Sequence, residues 1–318
     1  MKLLSNYYKP TQILIATISI SVLIVSLFGF QGEWVLFFDL FSHFRVYLTI
    51  FSLFLFIISL IITNQLAVYS SIISLAVNFF PVAPYLFASQ TLSYERQFRL
   101  VTVNLWVYNP VKAPAIKFLR ASDADVIVLN EVSPRWVEPV KTLKDIYPFQ
   151  YFRTDCYERG HCQMALLSKE PWNELVSSKN EVNIPTFILA RFTRMEREFS
   201  IIGTHLIYPL AKGTSALQAR QIHSLSKIVN NEKGDLILTG DFNFSPWSVL
   251  HRRLISDTKL KRAEGGILAS WISRSLPIRL PIDHTYFRFN QGFAHMYLGP
   301  NIGSDHLPVV TDVNLGDF

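Results

Sequence analysis

The chain has 318 residues, of which 50% are hydrophobic and 17% charged, and its mean hydropathy is +0.24. It is too apolar for an ordinary soluble protein of this size. The apolar excess lies near the start, because no charged residue occurs between Arg45 and Glu95.

Three apolar segments in this region are candidate transmembrane helices, since a helix needs about 20 apolar residues to cross a bilayer. They cover about residues 12–30, 46–63 and 66–89. A cleaved signal peptide is the alternative for the first, but that segment is long and no small-x-small cleavage pattern ends it. The third contains Asn78, Pro81 and Pro84, so a re-entrant segment is its alternative. We assign residues 1–90 to a membrane domain with three helices.

The basic residues that flank these segments set the expected topology. Lys2 and Lys9 precede the first segment, Arg45 lies in the next loop, and Arg96 and Arg99 follow the third. The numbers of basic residues on the two sides of the membrane are nearly equal. We place the amino terminus in the cytoplasm, because the first helix usually determines the orientation. Three crossings then place the large domain outside the cytoplasm, on the periplasmic side of the cell membrane.

The spacing of the two cysteines is consistent with a periplasmic location of the large domain. Cys156 and Cys162 are separated by five residues in a polar segment. A loop this short can close a disulfide in an oxidising compartment. A reduced pair in the cytoplasm, or a metal site with His161, are the alternatives.

Residues 91–318 suit one sizeable domain. They carry 27 basic and 22 acidic residues. This balance is compatible with phosphate-bearing partners, either nucleic acid or anionic lipid, and also with an ordinary solubility charge.

The pattern from residue 97 onward is typical of an α/β domain. Strand-like runs cover residues 98–106, 125–132, 162–169, 186–194, 198–206, 235–240, 282–289 and 307–315. Helix-like stretches cover the segment between the first two runs and residues 134–146, 214–231 and 247–257. Several strands follow one another without a helix, which favours mixed or antiparallel sheets.

Polar residues stand where several of these runs end. They are Asn104, Glu131, His205, Asp241, Asn243, Asp283 and His284, with Asp305 and His306 just before the last run. Singly, each has a structural explanation: Asp241 as a helix cap, His205 as a core histidine, Asp305 as a turn residue. Together they form a set that suits chemistry on a phosphate.

Hydrolysis of a phosphodiester uses a metal with oxygen ligands, a base and hydrogen-bond donors, and these residues can supply all of them. Mg²⁺ prefers oxygen ligands, which Glu131 and Asp305 can supply. Water that attacks phosphorus needs a base, and His306 oriented by Asp283 would provide one.

The charge that develops on the phosphoryl oxygens needs hydrogen-bond donors. Asn104, Asn243 and a protonated His205 are suitable. Phe242, between the polar residues of "GDFN", should point back into the core.

The motifs "NLW", "LNE", "GTHL", "GDFN", "IDH" and "GSDHLPV", in this order, resemble the endonuclease/exonuclease/phosphatase superfamily over residues 97–318. The resemblance is closest to its bacterial membrane-anchored branch, in which "GDFNxxPWS" and a pair such as Arg220 and Gln221 also occur. It implies a four-layer α/β sandwich, with two mixed β-sheets flanked by helices and the site at one edge. Residues 91–318 would be the catalytic domain.

The resemblance also implies roles for individual residues. By position in the motifs, these are Glu131, Asp305 and Asn104 for the metal, Mg²⁺ or Mn²⁺; His306, Asp283, His205, Asp241 and Asn243 for catalysis; and Asn104, Asn243 and Arg220 for substrate binding. We interpret His284 and His295 as structural.

These observations predict a membrane-anchored, divalent-metal-dependent hydrolase of phosphoric esters, a phosphodiesterase with nuclease-like activity. A lipid-headgroup phosphodiesterase or phosphatase of sphingomyelinase type is the alternative, and a non-catalytic phosphate-binding membrane protein is the second. Basic residues favour nucleic acid, although a solvated helix face explains them equally well; they are Arg252, Arg253, Lys259, Lys261 and Arg262. The bilayer anchor and the apolar stretch 271–281 favour lipid, although an ordinary loop explains that stretch equally well. No protein partner can be inferred.

Overall fold

A computed structural model of the chain describes residues 2–86, 96–154, 163–194 and 196–316. The chain divides into two compact units. Unit 1 comprises Met1–Ala88 and Trp247–His251, and unit 2 comprises Ser89–Pro246 and Arg252–Phe318. The predicted disulfide between Cys156 and Cys162 lies outside the described residues.

Unit 1 is helical. Its long helices are α1 (Lys2–Phe28), α3 (Arg45–Ile61) and α4 (Gln65–Leu86). Between α1 and α3 lie two single helical turns, Gln31–Glu33 and Leu36–Phe38, and the short helix α2 (Asp39–Ser42).

Two of these helices are long and apolar enough to cross a membrane: Lys9–Phe28 within α1 and Gln65–Leu86. The 17-residue α3 follows Leu36–Ser42 at a bend of 60°, so a third span exists only if that bent pair counts as one. α4 is one continuous helix that contains Pro81 and Pro84.

Buried polar groups join the three long helices of unit 1. The Ser74 hydroxyl lies 2.8 Å from that of Ser52 and 3.2 Å from that of Ser26, and Asn78 Nδ2 donates to Ser26 Oγ at 2.7 Å. Small residues let helices approach closely, and hydrogen bonds between them stabilise association where water is absent.

Unit 2 contains two six-stranded mixed sheets. The first has the order β13-β14-β1-β2-β4-β3. Its strands are β1 (Phe98–Asn104), β2 (Val126–Asn130), β3 (Phe149–Arg153), β4 (Met164–Ser168), β13 (Phe293–Leu298) and β14 (Val309–Asn314). β1 and β2 are parallel, and the other neighbours are antiparallel.

The second sheet has the order β5-β6-β7-β8-β12-β9. Its strands are β5 (Glu174–Ser177), β6 (Thr186–Arg194), β7 (Arg197–His205), β8 (Asp235–Asp241), β9 (Lys261–Arg262) and β12 (Asp283–Arg288). β7 and β8 are parallel, and the other neighbouring strands that the structure describes in this sheet are antiparallel. β10 (Trp271–Ile272) and β11 (Arg279–Leu280) form a separate two-stranded ribbon.

The alternation of side chains along β1 shows how the layers form. Leu100 faces the core between the sheets, whereas Val101 and Val103 face the core shared with α5 (Ala113–Ala121) and α6 (Pro134–Lys141). α7 (Thr214–Asn231) lies against the second sheet, where its Gln218 donates to the carbonyl of Phe242. The predicted α/β sandwich of two mixed sheets flanked by helices is confirmed.

Most element boundaries agree with the sequence pattern. The structure places α7 at Thr214–Asn231, as predicted, and α8 at Val249–Thr258. The strands that the sequence analysis did not predict are short or lie at sheet edges, namely β3, β5, β9, β10, β11 and β13. Such strands pack on one face only, so their sequences show a weak pattern of apolar residues.

Gly240 allows β7 and β8 to approach next to the polar strand ends. Its φ is +150°, and a Cβ atom there would lie 1.9 Å from the carbonyl oxygen of Thr204 on β7. No other residue type fits this position without moving the backbone. The following residue, Asp241, is therefore held beside His205.

We expect Gly240→Ala to lower the free energy of unfolding by about 1–3 kcal/mol, because overpacking against backbone cannot be relieved by a side-chain rotation. Urea unfolding of the full chain in detergent would measure it. Gly213→Ala is the matched control, since Gly213 also has positive φ but has nothing within 4 Å of a Cβ atom. Equal unfolding midpoints for the two variants would contradict the prediction.

Candidate active site

The predicted polar residues come together where strands of both sheets end. Asn104 ends β1 in the first sheet, whereas His205 ends β7 and Asp241 ends β8 in the second. Asp283 begins the antiparallel neighbour β12 and lies directly opposite Asp241 in register. Because β12 runs in the opposite direction, its first residue meets the last residue of β8.

Asp241 is the centre of the cluster and is 1% exposed. Its Oδ2 accepts a hydrogen bond from Asn104 Nδ2 at 3.0 Å, which links the two sheets. Its Oδ1 accepts one from the backbone N–H of Asn243 at 2.9 Å. His205 Nε2 and His306 Nε2 lie 3.6 and 3.7 Å from Oδ2, beyond hydrogen-bond distance, so both imidazoles converge on one carboxyl oxygen.

His306 and Asp283 form a buried pair. His306 Nδ1 lies 2.8 Å from Asp283 Oδ2. This hydrogen bond fixes the orientation of the imidazole and directs Nε2 towards Asp241. Ser270 Oγ in turn accepts a hydrogen bond from the backbone N–H of Asp283 at 3.2 Å.

Glu131 follows the last residue of β2 and is fixed at both oxygens. Its Oε1 accepts from Asn104 Nδ2 at 3.1 Å, and its Oε2 accepts from the N–H of Val107 at 2.8 Å. Asn104 Oδ1 accepts from the N–H of Trp106 at 2.9 Å. Asn104 therefore bridges Glu131 and Asp241 through its amide group.

The loop before β14 brings the last two predicted residues. Ser304 Oγ donates to the carbonyl of Asn104 at 2.8 Å and accepts from the N–H of His306 at 3.1 Å. Asp305 lies between them in sequence, and the Ser304 hydroxyl is 3.5 Å from its Oδ1. Ser304 thus ties this loop to the end of β1.

Strained backbone surrounds the cluster. Trp106, Glu131 and Asn243 have φ values of +57°, +57° and +53°. Each such residue costs about 1–3 kcal/mol when it is not glycine. All three lie within two residues of a strand end, where they turn the chain and direct side chains out of the sheet.

Burial and neighbouring charges shift the proton affinities of the central groups. Burial and the charge of Asp283 raise the pKa of Asp241 to about 8. Burial lowers the pKa of His306, but the Asp283 and Asp241 carboxyl groups outweigh it and raise that pKa to about 10. Both groups therefore hold a proton more firmly than they would in water.

The two outer carboxyl groups shift in opposite directions. Burial raises the pKa of Glu131, but the His205 imidazole and the hydrogen bonds from Val107 and Asn104 reverse this, so the net pKa is lowered. Burial, with a contribution from the charge of Glu131, raises the pKa of Asp305. The two carboxyl groups are thus close enough to interact electrostatically.

The hydrogen bonds of Arg220 and His284 are made to residues outside the cluster around Asp241. Arg220 is exposed on α7, and its Nε donates to Asn183 at 2.8 Å, before the start of β6. His284 is fully buried, and its Nε2 lies 2.8 Å from the carbonyl of Phe244. Phe242 is buried, as expected, with its ring centroid 5.1 Å from that of Tyr286.

Sequence reasoning missed three polar residues that hold the site. Ser304 lies inside the quoted motif "GSDHLPV", so its position next to Asp305 was an available signal. Ser270 lies far from any motif, and Gln218, which donates to the carbonyl of Asn243 at 3.2 Å, is an ordinary buried position of an amphipathic helix. No local pattern distinguishes these two.

Comparison with solved structures shows the same fold in proteins of low sequence identity. Beta toxin from Staphylococcus aureus, in a mutant form with bound magnesium ions, is 15% identical, with a TM-score of 0.56, and covers 68% of this chain and 99% of its own. TDP2 from D. rerio, complexed with a single-strand DNA product, is 13% identical, with a TM-score of 0.54, and covers 68% and 98%. Sphingomyelinase C from Streptomyces griseocarneus is 17% identical, with a TM-score of 0.52, and covers 68% and 99%.

No curated protein matches the sequence. The model of the Endonuclease/Exonuclease/phosphatase family matches residues 101–306, which include every residue of the cluster from Asn104 to His306. The chain therefore belongs to the endonuclease/exonuclease/phosphatase family.

Proposed function

We propose that the chain is a membrane-anchored, divalent-metal-dependent phosphodiesterase with nuclease-like activity. The observation that carries this proposal is the convergence of His205 and His306 on Asp241, with His306 fixed by Asp283 at 2.8 Å. Two imidazoles, an amide and buried carboxyl groups at one sheet edge suit the hydrolysis of a phosphoric ester. Family membership supports the reaction class, since the family name covers nucleases and phosphatases.

His306 is the proposed general base. When the imidazole is neutral, Nδ1–H donates to Asp283, and the lone pair of Nε2 is left to accept a proton from water. Asp241 and Asn243 position the water and the phosphate. His205 donates a hydrogen bond to a phosphoryl oxygen, where charge develops. Both N–H groups of Asn104 already donate to Glu131 and Asp241, so Asn104 holds these two carboxyl groups instead of donating to the phosphate.

The oxygen donors beside this pair fit a divalent cation. The charge of Glu131 contributes to the raised pKa of Asp305. Mg²⁺ and Mn²⁺ prefer such carboxylate oxygens, and Asn104 Oδ1, which accepts one hydrogen bond, is the third proposed ligand. A bound cation would supply positive charge that stabilises the phosphate and lowers the pKa values of Asp241 and His306.

A second group of possible ligand atoms lies at the same strand ends. Atoms of Asp241, Asp283 and His306 all lie within 4.8 Å of one another. His306 Nδ1 already bonds to Asp283, so we assign this trio to proton transfer and positioning and keep Glu131 and Asp305 as the metal ligands.

The substrate class we favour is nucleic acid, because one of the matched structures, TDP2, holds a single-strand DNA product. The described structure adds a cationic and aromatic surface next to Asn104. The Arg274 guanidinium lies 4.0 Å from the ring centroid of Trp106, a group suited to stacking on a base.

A lipid headgroup is the second candidate. Large apolar side chains are exposed in loops that follow β1 and β7 and at the tip of the β10–β11 ribbon, namely Tyr108, Leu210 and Leu276. Apolar side chains of this kind can enter the headgroup region of a bilayer. The likeness to sphingomyelinase C points to the same chemistry.

We expect His306→Ala to reduce Mg²⁺-dependent hydrolysis by about 10²- to 10⁴-fold, the usual contribution of a general base. The full chain in detergent would be assayed on bis-p-nitrophenyl phosphate, single-stranded DNA and sphingomyelin vesicles. His223→Ala on the exposed face of α7 is the control and should keep the wild-type rate. Equal rates for the two variants would rule out the proposed base, and faster cleavage of sphingomyelin than of DNA would select the lipid alternative.

Glu131→Gln should weaken Mg²⁺ binding at least about tenfold, because it removes a charged oxygen ligand while keeping the shape of the side chain. Calorimetric titration with Mg²⁺ and with Mn²⁺ measures this without reference to turnover. Glu138→Gln on the surface of α6 is the control. Unchanged affinity in Glu131→Gln would remove this residue from the metal site, and metal binding without turnover of any substrate would favour the non-catalytic alternative.

For the cell, we propose a multi-pass membrane protein whose catalytic unit lies on the periplasmic side. Alkaline phosphatase folds only where disulfides form, so its fusion after residue 318 should be active. A fusion of a cytoplasmic reporter at the same position should be inactive. The opposite pair of results would reverse the topology.

A further inference from the structure

Four threonine hydroxyl groups form a continuous chain between the two sheets of unit 2. Thr102 Oγ1 of β1 lies 2.6 Å from Thr239 Oγ1 of β8, which lies 3.0 Å from Thr285 Oγ1 of β12. Thr285 Oγ1 lies 2.8 Å from Thr311 Oγ1 of β14. Two of the three links cross from one sheet to the other.

The chain lies directly beneath the candidate active site. Side chains alternate along a strand, so residues two apart share a face. Thr102 stands two residues before Asn104, and Thr239 stands two residues before Asp241. Thr285 stands two residues after Asp283 on a strand that runs the other way. The threonines therefore form the layer below the catalytic groups.

The layer between the sheets changes in character along the strands. At the end remote from the site it contains Phe98, Phe192 and Phe199. Near the site Gly203 faces Val128, and a Cβ atom on Gly203 would lie 2.6 Å from Val128 Cγ1. Small side chains and hydroxyl contacts let the sheets approach closely at this level.

An apolar core does not require these hydroxyl groups. All four threonines are at most 2% exposed. Valine has the same shape, and replacing both partners of a buried hydrogen bond with apolar groups can be nearly neutral for stability.

We propose that the threonine chain is a positioning device that fixes the spacing of the two sheets beneath the active site. Hydroxyl oxygens joined by a hydrogen bond lie 2.6–3.0 Å apart here, whereas carbon atoms in contact lie about 3.5–4.0 Å apart. Valines in these places would separate the strands by about 1 Å. The bond of 3.0 Å from Asn104 Nδ2 to Asp241 Oδ2 spans the same two sheets, so it would be stretched.

Two fourfold variants of the full chain in detergent test this proposal. The valine variant changes Thr102, Thr239, Thr285 and Thr311 to Val, and the serine variant changes the same residues to Ser. Valine keeps the buried carbon volume and removes the hydroxyl groups, whereas serine keeps the hydroxyl groups and removes a methyl group at each position. Thr258→Val, at a buried hydroxyl on α8, is the control.

The kinetic arm rests on the proposed function. We expect the valine variant to lose about 10²-fold in kcat, since a displacement of about 1 Å can have that effect, while its Tm falls less than that of the serine variant. The serine variant should unfold at a lower Tm and keep kcat within about threefold, because the spacing is preserved. A purely structural role would make activity follow stability, which is the reverse order.

Crystal structures of both variants give a second readout that does not need turnover. The Asn104–Asp241 distance should lengthen by about 1 Å in the valine variant and stay unchanged in the serine variant. If the wild type hydrolyses no phosphoester, the proposed function fails, and this distance still decides the inference.

A valine variant with wild-type kcat, or a serine variant that slows as much as the valine variant, would overturn the proposal. An unchanged Asn104–Asp241 distance in the valine variant would do so as well. If the valine variant does not fold, the serine variant decides: loss of about 10²-fold in its kcat contradicts the proposal, and retention supports it.

Discussion

The carboxyl group of Asp241 is buried at the meeting of two sheets, and the structure around it compensates for that burial. A buried carboxyl group without hydrogen bonds is costly. Asp241 receives one bond from Asn104 of the first sheet and one from the backbone that follows its own strand. The two imidazoles complete its surroundings. None of these partners is close in sequence except Asn243, so the fold has to bring them together.

That requirement explains several local features that would otherwise be unfavourable. Gly240 lets β8 approach β7, which places Asp241 beside His205. The positive φ values of Glu131 and Asn243 turn the chain at the point where a side chain must leave the sheet. Strain of this kind persists only where surrounding contacts over-determine the backbone. Here the contacts include the hydrogen bonds of both Glu131 oxygens and the bonds from Gln218 to the loop carbonyls.

How much the sequence predicts depends on how local the determining interaction is. The boundaries of α7 follow from its own amphipathic pattern, and the strand ends at Asn104 and Asp241 are marked by the change from apolar to polar residues. The sheet order does not follow from such patterns, because it depends on contacts between distant strands. The same holds for β13, an edge strand whose sequence "FAHMYL" has no strict alternation.

The threonines illustrate the same limit in the site itself. Threonine is β-branched and favours strands, so Thr102 and Thr239 contribute to the prediction of the strands that contain them. Their mutual contact of 2.6 Å becomes visible only when both sheets are in place. For Arg220 the motif predicts a role in substrate binding, and the structure adds a contact that the motif does not predict: its guanidinium donates to Asn183.

The charges of the site support the proposal of a bound cation. The cluster contains the carboxyl groups of Glu131, Asp241, Asp283 and Asp305 and the imidazoles of His205 and His306. A phosphodiester is an anion, and burial together with neighbouring carboxyl groups raises the pKa values of Asp241 and Asp305. Without further positive charge, substrate would be repelled, and the raised pKa of His306 would disfavour the neutral form that accepts a proton. The proposed divalent cation would correct both conditions at once, because the same charge would attract the phosphate and favour the deprotonated forms of its neighbours.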